Sequence, residues 1–279
     1  MTRLSSHGGH ALPLSDPNKV THLGPLADFG AHAKQITQIA SEIVMDHFRN
    51  TLDVSFKSDE SPVTQADKAV EASLLAYLEG HLPNHGVYGE EYGQKRLNSE
   101  YLWVVDPIDG TRSFLSGHPL FGFLLALLQN SEPQMGIVAM PALNEVYMGV
   151  KGKGAWLNSD PISVSNATRM DRSILYVNEG DKIFQSEPQL FNRLMQSGQT
   201  RRFAYDCYPH ALLAAGHIDL VFDYDLQPYD FMAVSALVHA AGGVVTDWEG
   251  NPVDLSSDGR IISASTPELH QQALALVNA

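Results

Sequence analysis

The sequence predicts a mixed α and β protein of packed helical and sheet layers, and three observations lead there. Residues from Leu26 to about Phe48 carry apolar side chains at helical spacing, among them Phe29, Ala33, Ile36, Ala40 and Val44. Apolar runs over 121–128, 134–139 and 145–150 are separated by Asn130-Ser131 and Pro141-Ala142, the pattern of an antiparallel meander. From about Asp171 onward, strand-like and helix-like segments alternate. The chain has 279 residues, a length at which one core begins to split in two. The expected organisation is a flexible extension over 1–22, an α+β sub-domain over 23–165 and an α/β sub-domain over 166–279.

Between these landmarks, 51–63 is polar and reads as a loop. Thr64 reads as the N-cap of a second helix, with Ala66, Val70, Leu74 and Leu78 inward and Gly80 at its end. Short strands flank the turn Gly89-Glu90-Glu91-Tyr92-Gly93, and an apolar strand from Leu102 stops at Asp106. Beyond the meander, strands are expected over 173–177, 220–224 and 244–247. Helices are expected over 189–197, 207–215 (ended by Gly216) and 231–241 (ended by Gly242-Gly243).

The formal net charge is −14, from 32 acidic and 18 basic side chains. That balance argues against nucleic acid as a partner and favours cations. Cys207 is the single cysteine, which excludes an intrachain disulfide and leaves a small buried thiol as its reading. No apolar run approaches the ~20 residues of a membrane span, and residues 1–22 lack the apolar core of a leader. A cytoplasmic protein with no membrane partner is the expectation. The twelve histidines show no H-E-x-x-H spacing.

The chemistry concentrates in Trp103 to Phe114, W-V-V-D-P-I-D-G-T-R-S-F. A strand ending in two acids and a tight turn aims Asp106, Asp109 and the carbonyl of Ile108 at one point. Pro107 fixes its own φ at about −65° and keeps Asp106 extended, and Gly110 permits the turn. Carboxylates this close repel unless a proton or cation lies between them. The stretch reads as a hard-metal site. Asp67, Glu90 and Asp230 are further candidates, although Asp67 and Asp230 stand at helix starts and, taken singly, read as caps before ligands.

These motifs resemble the inositol monophosphatase family of metal-dependent phosphatases. Its W-x-x-D-P-x-D-G-T-x-x-F is matched by Trp103 to Phe114, and its aromatic-D-x-x-A with a later A-G-G by Tyr229-Asp230, Ala233 and Ala241-Gly242-Gly243. Its G-E-E falls at Gly89 to Glu91, and its V-T-x-x-D at Val63 to Asp67. The resemblance implies the layered α-β-α-β-α sandwich of the inositol monophosphatase and fructose bisphosphatase type. It implies Mg²⁺, about two or three ions per site, held by Glu90, Asp106, the Ile108 carbonyl, Asp109 and Asp230. Asp67 and Thr111 would orient and deprotonate a metal-activated water, with Glu90 helping to place it. Gly110 and Thr111 would receive the phosphate. Lys57 matches the family's active-site lysine in position but reads equally as a solvated side chain. A homodimer acting on a small-molecule phosphate ester is implied.

The substrate is narrowed by Asp206-Cys207-Tyr208, L-x-P-Y-D (226–230) and D-G-T-R-S-F (109–114), which look like the histidinol-phosphatase branch. Asp206 suits the ammonium or imidazole of L-histidinol phosphate, and Tyr208 or Tyr229 could stack on the ring. Asp206 also reads as a helix N-cap, and Ala204 and Tyr205 stand where that branch would have glycines. The alternatives are an inositol-1-phosphatase, a broad phosphomonoesterase or, in another class, a scaffold that binds metal without catalysis.

Overall fold

The computed structural model describes residues 26–50, 54–56 and 62–279. The expected extension over 1–22 lies outside the described residues, as does Lys57. In chain order the elements are α1 Leu26–His47, β1 Val54–Phe56, β2 Pro62–Thr64, α2 Gln65–His81, β3 Gly86–Gly89, β4 Gln94–Lys95 and β5 Tyr101–Asp109. There follow α3 Thr111–Leu115, β6 Gly122–Gln129, β7 Glu132–Met140, β8 Glu145–Val150, β9 Gly154–Leu157 and β10 Asp160–Ile162. The remainder comprises β11 Ile174–Asn178, α4 Gly180–Ser186, α5 Pro188–Gln196, β12 Thr200–Ala204, α6 Tyr208–Ala214, β13 Leu220–Asp223, α7 Pro228–Ala240, β14 Val244–Asp247, β15 Ile261–Ala264 and α8 Pro267–Val277.

Eight strands form one sheet in the order β10-β9-β8-β7-β6-β5-β3-β4, and five form a second in the order β12-β11-β13-β15-β14. The expected meander is present, with β5 through β9 antiparallel in succession, while β5 pairs parallel with β3 on its other side. Strand alternation sends side chains to two cores. Trp103, Val105, Phe123 and Leu125 pack with Ala33, Ile36, Val70 and Leu74 of α1 and α2. Val104, Leu124 and Ala126 pack with Ala211 of α6 and with Phe231, Val234 and Val238 of α7. Val221, Val245 and Ile261 of the second sheet join that same core. The opposite face, with Leu175 and Phe222, meets Leu190, Leu194, Leu269 and Ala273 of α5 and α8. The layers are therefore α-β-α-β-α, as expected.

Helix α7 approaches the large sheet closely because Gly136 and Gly149 carry no side chain. A Cβ on Gly136 would lie 2.1 Å from the Ala233 carbonyl, and one on Gly149 2.6 Å from the Leu237 Cα. This contact brings the start of α7 to the end of β5.

Several sequence expectations change. The region 51–63 is not only loop, since β1 and β2 pair antiparallel within it. Gly80 does not end α2; the helix continues to His81 and closes with the Leu82 N–H on the Leu78 carbonyl. Strand β5 runs past Asp106 to Asp109. Asp230 lies inside the first turn of α7, not before it. Strands β9, β10, β12 and β15 and helices α4 and α8 add to the elements expected from the sequence.

Candidate metal and catalytic site

The bulge at the end of β5 builds the centre of the site. Asp106 pairs with Leu124 and Asp109 with Gly122, so β5 carries one residue more than β6 across the same span. A bulge re-aims side chains, here turning both acids the same way. Pro107 suits the irregular position because it has no N–H to donate. The Asp106 carboxylate accepts the Ile108 N–H at 3.0 Å, which tightens the turn. Gly110 follows in the left-handed region at φ 84°, and Thr111 donates its hydroxyl to the Ile108 carbonyl at 3.1 Å.

Asp230 arrives from α7, where its carboxylate also accepts the Gln227 N–H at 2.6 Å. Carboxylate oxygens of Asp106, Asp109 and Asp230 lie within 4.8 Å of one another. Asp106 is buried and the other two are half-buried. Glu90, in the turn after β3, hydrogen-bonds to Asp106 and adds its charge to the group. Among the described residues no lysine or arginine forms an ion pair with the three aspartates. Burial raises Asp106 and Asp109 well above the ordinary carboxylate range, and neighbouring acids push them further. Asp230 is raised to about 7, mainly by burial with Glu90 adding to it. Four acids gathered by the fold from β5, α7 and the turn after β3, with oxygen donors only, fit a hard divalent cation, whose charge would relieve this repulsion.

Asp67 stands beside this group at the first turn of α2. The cap reading holds: Thr64 and Asp67 form a reciprocal capping box. One Asp67 oxygen takes both the Thr64 N–H at 2.7 Å and its hydroxyl at 2.6 Å. The other oxygen is buried without a hydrogen-bond partner. Burial lifts this carboxyl to about 6, against the Thr64 bonds that pull it down.

One residue of this region escaped the sequence reading. Glu71 is fully buried one turn after Asp67 and accepts the N–H groups of Glu91 at 2.7 Å and Tyr92 at 2.9 Å. It holds the turn that carries Glu90. The signal was available: an acid occupies a position of the inward stripe between Asp67 and Leu74.

The second half contributes the Asp206–Cys207 turn. Asp206 does not cap α6, whose N-cap is Cys207 with no side-chain bond. Its carboxylate lies against Gly110, where a Cβ would come 2.6 Å from it, and accepts the Ser113 hydroxyl at 2.8 Å. The Cys207 N–H donates to Asp109, and the Cys207 thiol is buried as expected. Burial raises Asp206 to about 6, opposed by the Ser113 bond. Tyr208 has its hydroxyl on Glu145 at 3.0 Å, shared with Tyr147 at 2.8 Å. Tyr229 is half-buried edge-on to Tyr88.

Residues 26–279 match the inositol monophosphatase family. The chain belongs to that family. As such it is a phosphatase of the phosphoric monoester hydrolase type. It is 34% identical over 255 residues to the bifunctional phosphatase IMPL2, chloroplastic, of Arabidopsis thaliana, covering 88% of this chain and 74% of that protein. It is 32% identical to the histidinol-phosphatase of Chlorobaculum parvum, covering 84% of this chain and 90% of that one. An inositol monophosphatase structure from Zymomonas mobilis superposes with a TM-score of 0.83 at 33% identity, over 91% of this family member and 99% of that chain. No helix among the described residues is long and apolar enough to cross a membrane.

Proposed function

We propose that this phosphatase is Mg²⁺-dependent and hydrolyses L-histidinol phosphate to L-histidinol and phosphate. Glu90, Asp106, the Ile108 carbonyl, Asp109 and Asp230 would hold the ions. A divalent cation there supplies charge neutralisation of the phosphate dianion and lowers the pKa of water. The protein's own groups do the rest. The unpartnered oxygen of Asp67 is a proton acceptor already desolvated and tuned to about 6, close to what a general base needs at neutral pH. Thr111 keeps the Ile108 carbonyl oriented, and the N–H groups of Gly110 and Thr111 receive the phosphate.

The observation that carries the substrate is the Asp206 carboxylate lying against Gly110. With the phosphate received by Gly110 and Thr111, this carboxylate would stand beside it, where the organic part of the ester begins. A cationic amino alcohol would meet that carboxylate and restore its ionisation, which burial opposes. An inositol ring offers only hydroxyls there. Tyr229 is half-buried against Tyr88 and lies near Asp230, Glu90 and Asp106, whereas Tyr208 has its hydroxyl engaged by Glu145.

The test is phosphate release with Mg²⁺ from L-histidinol phosphate and from myo-inositol 1-phosphate. Higher catalytic efficiency on the first is the expected result. A preference for the inositol ester, or none, would discard the substrate and leave the metal site standing.

A further inference from the structure

Behind the Asp206–Cys207 turn lies a buried polar chain that the metal site does not use. His210 on α6 is buried, with one ring nitrogen 3.0 Å from the Asp223 carboxylate and the other 2.9 Å from the Ser263 hydroxyl. Asp223, the last residue of β13, is also buried. The same Asp223 oxygen accepts the Asn178 amide at 2.7 Å, and its second oxygen accepts the Tyr224 N–H at 2.9 Å. Asn178, the last residue of β11, donates from that same amide nitrogen to the Asp206 carbonyl at 3.0 Å. A continuous path thus joins His210 to the backbone of Asp206.

That backbone is unusual. Asp206 sits at φ 66°, in the left-handed region, which a non-glycine residue keeps only where its surroundings over-determine it. Three contacts do so: Asn178 on its carbonyl, Ser113 on its side chain and Asp109 on the next N–H. The first depends on Asp223 being satisfied. A carboxylate buried this deeply must collect donors, and without His210 it would draw the Asn178 amide away from Asp206.

We infer that His210 is a positioning residue that, through Asp223 and Asn178, holds the Asp206 turn so that its carboxylate lies over Gly110, and thereby sets substrate preference. The inference rests on the reading of Asp206 as the carboxylate that meets the ester's organic part.

The experiment compares His210→Phe, His210→Gln, Asp206→Ala and the His210→Phe/Asp206→Ala double variant with the parent protein. Catalytic efficiency is measured with Mg²⁺ on L-histidinol phosphate and on p-nitrophenyl phosphate. His210→Phe should lower the ratio of the two by about tenfold, the scale of one lost hydrogen bond in a buried network, and mainly through KM. His210→Gln, which returns an amide N–H to Asp223, should recover most of it. In the Asp206→Ala background, His210→Phe should change the ratio no further. Equal losses on both esters, or additive losses in the double variant, would overturn the inference. Should His210→Phe fail to fold, Asn178→Leu interrupts the same path, and an unchanged ratio in that variant overturns the inference equally. If Asp206→Ala leaves the ratio untouched, the substrate reading fails and the inference with it. If Asp206→Ala lowers the ratio and His210→Phe does not, only the inference fails.

Discussion

Helices α2 and α7 begin with the same device and use it for different ends. In each, an aspartate in the first turn turns one carboxylate oxygen back to the N–H three residues earlier, Thr64 for Asp67 and Gln227 for Asp230. In α2 the capping threonine adds its hydroxyl to the same oxygen, and the second oxygen of Asp67 is left buried and unpartnered. In α7 no such hydroxyl is present, and Asp230 faces Asp106 and Asp109. Under the proposed roles, capping and function would not compete: the cap holds one oxygen of each carboxylate, and the surroundings would decide whether the group takes up a proton or a cation.

Removing the charge at each start should separate the two roles. Asp230→Asn should abolish measurable turnover and weaken Mg²⁺ or Mn²⁺ binding in calorimetry, because one of three converging carboxylates is lost. Asp67→Asn should leave metal binding near that of the parent while lowering kcat by about 10²–10⁴-fold, the contribution of a general base. If both variants lose metal affinity equally, Asp67 is a ligand and the contrast between the helices fails.

The same contrast predicts how metal-free protein responds to pH. Asp67 is raised to about 6 and Asp230 to about 7, from ordinary values of 3.8. A carboxyl that holds its proton more firmly folded than unfolded stabilises the fold at low pH, and that contribution is lost as pH rises through the folded value. The melting temperature of EDTA-treated protein should therefore fall as pH rises from about 4 to about 7. Mg²⁺ should remove most of the fall, since the cation replaces the protons among Asp106, Asp109 and Asp230. A residual fall that persists with Mg²⁺ would belong to Asp67 and Asp206, both raised to about 6, and Asp67→Asn should remove only its own share.

Much of this was legible because it is local. The D-P-I-D-G-T run places its acids by its own backbone, and Thr64 with Asp67 announces a helix start within four residues. The bulge that carries β5 past Asp106 was not legible, since it is defined by pairing with Leu124 and Gly122 on another strand. The Asp206 turn was harder still. Its residues were singled out, but the contacts around its left-handed backbone come from Asn178, Ser113 and Asp109, distant in sequence and brought in by the fold. Glu71 lay between these cases, visible as an acid in an apolar stripe but interpretable only once Glu91 and Tyr92 were placed above it. The polar stretch 51–63 concealed a strand pair because neither strand is long enough to show alternation.

The smallest effect sharpens the comparison most. Thr64→Ala removes the hydroxyl that distinguishes α2 from α7. The lost cap should lower stability by about 0.5–2 kcal/mol, readable in a urea titration. It should also act on chemistry, because the Thr64 bonds hold the Asp67 carboxyl below where burial alone would put it. Without the hydroxyl, Asp67 should ionise at higher pH, and the acid limb of the kcat/KM profile should move to higher pH with it. Thr64→Ser, which keeps the hydroxyl, should leave the limb in place. An acid limb that moves identically in both variants would mean that the methyl group, and not the hydrogen bond, tunes Asp67. An unmoved limb in Thr64→Ala would assign the titration to another group and return Asp67 to the role of a cap.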